Sequence, residues 1–297
     1  MLFVYNLTML PRCSAHSCLL LSALSLTFPI TLLPQQPPPA PAARILLLPK
    51  RIVSGETATL AVLDGNGRLT PGVTVNFSNG DHLVTNATGR ALFVAPLNPG
   101  VIYATIASRP TRVYTTVLSP AEAGSSSLRV SSAPRFASLA DRFELSGSGF
   151  CGEADANTVR VAGKPALVLA SSPAALIALP PTELEPGPAT IEVSCAKRSA
   201  PHFSITFLAL TLDADSSPLG PGERRVLAVH VSGTVAKVPL EARNLSPTVA
   251  QLAGGNPANV SSSGGAQNVA QFELIGHERG IFRISVRLLP TPTPLRP

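Results

Sequence analysis

Between Arg44 and Leu289 the chain runs in short stretches where apolar and polar side chains alternate one by one, broken by glycine, proline and asparagine. This alternation constrains the fold more than any motif does. Phe143 and Leu145 alternate with Arg142, Glu144 and Ser146; Ile191 and Val193 alternate with Thr190 and Glu192; Phe203, Ile205 and Phe207 alternate with His202, Ser204 and Thr206. A period of two places one face of a strand on a core and the other in water. Gly147-Ser148-Gly149, Pro180-Pro181 and Pro186-Gly187 supply turn chemistry between the runs. Strands separated by turns every ~8–12 residues predict β-sandwiches rather than a parallel α/β sheet. Thirty prolines, 22 glycines and no tryptophan suit many tight turns, and no long stretch has helical period.

Residues 1–43 read as an export segment. Arg12 gives a small positive region, Cys18 to Leu33 is apolar and broken by Pro29, and Ala40-Pro41-Ala42 offers a cleavage site near Ala42/Ala43. The apolar run is shorter than the ~20 residues of a membrane span. An uncleaved anchor is the alternative, and Met9 competes with Met1 as the start. The proline tract at 34–41 reads as a stiff spacer. The expected organisation continues with sandwiches at 44–118, 128–208 and 209–289. A polar linker at 119–127 separates the first two, and a Pro-rich tail occupies 290–297. The join after Leu208 offers no flexible linker until Asp213, so the second and third units are expected to pack tightly.

In the first unit, Thr57 to Leu63 runs into Asp64-Gly-Asn-Gly67. Val73, Val75 and Phe77 share a strand face, and Thr85-Asn-Ala-Thr-Gly89 turns into Arg90-Ala-Leu-Phe-Val94. The pieces V-L-D-x-N-G-R-x-x-P-G-V-x-V-x-F and T-N-A-T-G-R-A resemble the bacterial immunoglobulin-like repeats of invasin and intimin type. That resemblance implies a rigid spacer or display module on a bacterial surface. In the second unit the order G-S-G-F, V-R-V-x-G, P-P and P-G-x-A-T-I-x-V resembles the IPT/TIG family of immunoglobulin-like domains. It implies a fold well and a function poorly. The third unit, built on Leu227, Val229 and Val231, Val238, Leu240 and Ala242, and Phe282, Ile284 and Val286, is read as a divergent sandwich. Its Ser/Gly/Asn-rich stretch, Asn244 to Gly265, is the candidate ligand surface, set against the commoner reading of a mobile loop with no partner.

Cys151 and Cys195 stand at the ends of two predicted strands of the second unit and are expected to form a disulfide. Closing that loop contributes about 3–4 kcal/mol on the chain-entropy model. The rival reading is a pair of separate thiols. A zinc site needs more ligands than these two cysteines supply. Cys13 and Cys18 leave with the export segment.

The net charge of +6 comes from scattered arginines, Arg68, Arg90, Arg160, Arg243 and Arg287 among them. They read as solvated strand faces, with no basic run interleaved with aromatics, so no nucleic-acid partner is expected. Gly147-Ser148-Gly149 is a turn rather than a nucleophile elbow. His277-Glu278 lacks the second histidine of a zinc-protease motif, and the five histidines lie far apart. No catalytic residue, cofactor or metal is assigned. Asp64 with Asn66, Glu153 with Asp155 and Asn157, and Asp213 with Asp215 offer oxygen ligands that calcium accepts, although Asp and Asn more commonly serve turns and caps. Lys237 and Asn268 are a candidate isopeptide pair.

The expected protein is thus a secreted, periplasmic or cell-surface structural spacer or adhesion module. Its partner is an extracellular protein or a surface glycan, and it touches membrane only through an uncleaved N-terminus. The alternative is a carbohydrate-binding accessory, which the scarcity of aromatic platforms (Tyr5, Tyr103 and Tyr114 are the tyrosines) weighs against. Intact mass spectrometry of the protein from its native host is expected to give a chain beginning near Ala43 that gains a pair of hydrogens on reduction. A full-length mass with free thiols would remove the argument for export.

Overall fold

The computed structural model describes residues 44–107, 109–124, 127–213, 219–278, 282–289 and 292–294. The expected export segment lies outside the described residues, as do most of the Pro-rich tail and Asp215. Its regular secondary structure is almost entirely strand. It forms immunoglobulin-like β-sandwiches in tandem, the architecture that alternation and turn chemistry predict.

The first sandwich contains β1 (Ile45–Leu47), β2 (Arg51–Val53), β3 (Thr57–Leu63), β4 (Thr74–Phe77), β5 (His82–Val84), β6 (Arg90–Val94), β7 (Gly100–Ile106) and β8 (Arg109–Leu118). One sheet runs β1-β3-β6 and the other β2-β8-β7-β4-β5. Leu60 and Val62 from the first sheet meet Val75, Ala104 and Ile106 from the second. The Asp64–Gly67 and Asn86–Gly89 turns form as their chemistry dictates. Asp64 Oδ1 accepts the amides of Asn66 (2.8 Å) and Arg68 (2.9 Å), and Asn86 Oδ1 accepts the amide of Thr88 (2.9 Å).

The stretch expected to be a polar linker begins instead with a single helical turn, α1 (Pro120–Ala123). A reciprocal cap holds it: the Glu122 carboxylate accepts the Ser119 amide at 2.8 Å, while Ser119 Oγ accepts the Glu122 amide. The Ser119 amide, and the Ser119 hydroxyl that also donates to the carboxylate at 2.8 Å, hold the Glu122 carboxyl below the usual carboxylate range. Ala123 packs on Val53, Leu118 and Ala174, so this end of the linker is docked on both neighbouring sandwiches.

The second sandwich contains β9 (Arg129–Pro134), β10 (Phe136–Ser138), β11 (Phe143–Ser148), β12 (Asn157–Val161), β13 (Lys164–Ser172), β14 (Ala175–Leu179), β15 (Gly187–Cys195), the short β16 (Arg198–Ser199) and β17 (Phe203–Asp213). β13 pairs with β12 through Lys164–Ala166 and with β14 beyond Leu167, so one strand joins the two sheets. The core holds Leu145, Val161, Ile191, Ile205 and Phe207.

β17 does not stop where the second unit was expected to end. Its first half pairs with β15 and its second half with β18 (Arg224–Ser232). Ile205 and Phe207 enter the second core, whereas Leu208, Leu210 and Leu212 enter the third. Successive side chains point to opposite faces, so a change of parity at Phe207–Leu208 hands one continuous strand from one core to the next. The third sandwich is completed by β19 (Pro239–Asn244), β20 (Ala250–Leu252), β21 (Ala258–Ser261), β22 (Val269–Gly276) and β23 (Ile284–Leu288), in sheets β20-β22-β18-β17 and β21-β19-β23. A last strand, β24 (Pro292–Pro294), pairs antiparallel with β9 of the second sandwich.

Phe207 is fully buried and meets Phe143 edge-on, with ring centroids 5.5 Å apart. Phe207→Ala is expected to destabilise the second sandwich by about 3–5 kcal/mol, read as a lower urea midpoint by fluorescence or circular dichroism.

Candidate functional site

Cys151 and Cys195 are bonded, with Cα atoms 5.8 Å apart. Cys195 ends β15 in the core, and Cys151 starts the loop between β11 and β12. Asn157 fastens the same loop: its Nδ2 donates to the carbonyls of Cys151 (2.8 Å) and Glu153 (2.9 Å), and its Oδ1 accepts the Cys151 amide (2.9 Å). Ser171 Oγ donates to the Cys151 carbonyl as well.

The loop so held is the surface on which the first sandwich sits. Thr59 Oγ1 donates to the Gly152 carbonyl at 2.8 Å and accepts the Ala154 amide at 3.1 Å. The backbones are in such close contact that a Cβ on Gly152 would lie 1.9 Å from the Thr57 carbonyl oxygen. Next to this contact β3 and β13 meet through Thr59 and Ser171. Leu47, Ala61 and Leu63 pack on Leu169, Ala170 and Ile177. Ser172 Oγ donates to the Arg51 carbonyl at 2.5 Å, and Lys50 Nζ pairs with Glu144 at 3.0 Å.

Arg90 completes the seam. It was expected to be a solvated strand-face arginine, but its side chain is only 8% exposed. Nε donates to the Leu169 carbonyl (3.2 Å), one terminal nitrogen to the Val168 carbonyl (2.6 Å) and the other to Asp155 (2.9 Å). The register of β13 slips between Val168 and Ala170, and a bulge of this kind leaves ladder groups without a strand partner. The guanidinium supplies the donors that the bulge lacks. Sequence reasoning missed this role because a residue covered by another domain has the same local pattern as one covered by water.

The remaining candidates are occupied by local structure. Asp64 caps its own turn, Asp155 pairs with Arg90, and Asn157 holds the disulfide loop. Asp213 is exposed, and its intended partner Asp215 lies outside the described residues. Among the described residues no three His, Cys, Asp or Glu side chains come together as a metal site. Asn268 donates to the carbonyls of Thr234 and Ala236 and accepts the Gly264 amide, so it is a loop staple. Lys237 is exposed, and nothing supports an isopeptide between the two.

The candidate ligand loop, Asn244 to Gly265, is in part regular structure. It contains β20 and β21, and Asn244 and Asn256 exchange hydrogen bonds at 2.8 Å. Asn244 also donates to the Ala250 carbonyl, so these two asparagines are spent on the backbone of the stretch, while Gln251, Asn259 and Ser261 are exposed. Three features lie outside what the sequence offered. Glu241 is buried on β19, with Arg287 at 2.8 Å and Arg243 at 3.6 Å. Tyr103 and Tyr114 stand side by side across β7 and β8, with ring centroids 5.7 Å apart. An open cleft of about 310 Å³ between β5 and β6 is lined by Phe77, Leu83, Phe93 and Ile102 together with the polar Asn79, Asp81 and His82.

No protein-family model matches this chain, and no curated protein does. Solved structures match it weakly. The Bacteroides ovatus SGBP-B of a mixed-linkage glucan utilization locus, in complex with a mixed-linkage heptasaccharide, is 13% identical over 80% of this chain and 71% of that one, with a TM-score of 0.35. Sidekick-1 immunoglobulin domains 1–4 are 11% identical over 80% and 76%, with a TM-score of 0.25. The Clostridium thermocellum CbhA fibronectin(III)-like modules are 14% identical over 56% and 93%, with a TM-score of 0.16. Likeness at this level carries no functional argument.

Arg90→Ala is expected to strand buried carbonyl groups and to cost about 2–4 kcal/mol, most of it from the two backbone acceptors, because Asp155 is 72% exposed and screened by water. Arg90→Lys is expected to recover little, since an ammonium cannot reproduce the fork of donors. Thermal unfolding of both variants checks this.

Proposed function

We propose that this chain is a non-enzymatic spacer and presentation module of a cell envelope or extracellular structure, exported by its N-terminal segment. Its domains are 44–118, 128–208 and 209–289, and its work is to hold their outer faces in fixed mutual orientation. The observation that carries this reading is the seam. An oxidised loop, a buried arginine and shared apolar side chains join the first two sandwiches, and a continuous strand joins the second to the third. Inter-domain contacts move by default unless such an interface is built. The disulfide supports an oxidising compartment. No helix among the described residues is long and apolar enough to cross a membrane. The likeness of the first unit to invasin-type repeats, and of the second to IPT/TIG domains, supports the same reading, with an extracellular protein or surface glycan as partner.

Small-angle X-ray scattering tests it. The disulfide-intact chain is expected to fit one fixed arrangement of the sandwiches, and Arg90→Ala to require a spread of arrangements about the first seam. A wild-type profile that needs many orientations would overturn the spacer reading.

A further inference from the structure

The outer face of β2-β8-β7-β4-β5 carries Tyr103 opposite Tyr114, with the rings tilted by 59°. Arg112 lies two residues before Tyr114 on the same face, and its guanidinium sits 4.6 Å from the Tyr103 ring centroid. Tyr114 is 55% exposed, and Val101, diagonally across the strands from it, is 68% exposed. Tyrosines eleven positions apart in sequence thus form, with arginine, one strip on a rigid sheet. The face is also one-signed: it carries Arg51, Arg112 and His82, and its five strands contain no carboxylate. Arg51 lies near Glu122 at the edge of the sheet, which leaves Arg112 as the cation at the rings.

We infer that Tyr103, Tyr114 and Arg112 form a binding platform for an acidic polysaccharide, a chain of uronic-acid sugars. This rests on the extracellular reading above. The exposed Tyr114 ring offers a flat apolar surface to the face of a pyranose. Arg112, already ordered against Tyr103, presents paired donors to a carboxylate, so little side-chain freedom remains to be lost on binding. The ligand needs a stackable ring with about one negative charge beside it, which a uronate repeats along its length. An acidic peptide has the charge without the ring face. Nucleic acid has both, yet its affinity comes from neutralising several phosphates, and here one guanidinium is poised at the rings. The bland alternative is a cross-strand tyrosine pair that stabilises the sheet alone.

The test is affinity electrophoresis of the full disulfide-intact chain through gels holding polygalacturonate, a neutral β-glucan or a single-stranded oligonucleotide, with thermal midpoints measured in parallel. The wild type is expected to be retarded by polygalacturonate, less so as salt rises, and not by the neutral glucan. Tyr114→Ala is expected to weaken retention about ten-fold, the loss of ~1.4 kcal/mol, with Tyr114→Phe retaining most of it. Arg112→Gln is expected to remove the preference for the acidic glycan at an unchanged midpoint. Absence of retention by polygalacturonate, retention indifferent to Tyr114→Ala, or tighter retention by the oligonucleotide would each overturn the platform. None of these touches the spacer reading, which stands or falls on scattering.

Discussion

A buried guanidinium joins the first two sandwiches, and the geometry around it depends on everything that positions its acceptors. Removing a cation from water is costly unless hydrogen bonds replace hydration. Arg90 finds those bonds on the bulge of β13 and on Asp155 in the disulfide loop. The Cys151–Cys195 bridge therefore acts beyond its own sandwich. It fixes the loop that accepts Thr59 and receives Arg90, and so converts a local covalent constraint into inter-domain order.

The second join uses a different device with the same result. β17 places Ile205 and Phe207 in one core and Leu208, Leu210 and Leu212 in the next. Bending the chain there would open both cores at once. The packing is close on the third sandwich's side too, where a Cβ on Gly233 would lie 2.5 Å from the Phe207 carbonyl oxygen. One join is sealed by a buried charge and the other by strand continuity, and neither leaves a hinge in the described residues. Fixed joins of this kind give meaning to the outer faces, because a strip such as that of Tyr103 and Tyr114 is then held at a set orientation.

Much of the fold was legible in the sequence because alternation and turn chemistry are local. The two strand faces, the Asp64 and Asn86 turns and the disulfide pairing follow from residues near one another or from the scarcity of cysteine. Even the tight second join could be read, from the absence of a flexible stretch after Leu208. A weaker hint lay in β3, where Thr57 to Leu63 is apolar on both faces toward its end. That is the signature of a strand covered on both sides.

Tertiary structure alone decided the rest. Arg90 has the local pattern of a solvated arginine, and only the arrival of β13 makes it buried. The Asn244–Gly265 stretch has the composition of a free loop, but it contains β20 and β21, and the Asn244–Asn256 exchange ties the two ends of its turn together. Tyr103 and Tyr114 are merely two scarce aromatics in sequence, and a strand register makes them neighbours. Composition and period fix which residues turn inward, since each residue's parity is set by the backbone. They do not fix what lies across from an outward residue, because that depends on which other strand the fold places there.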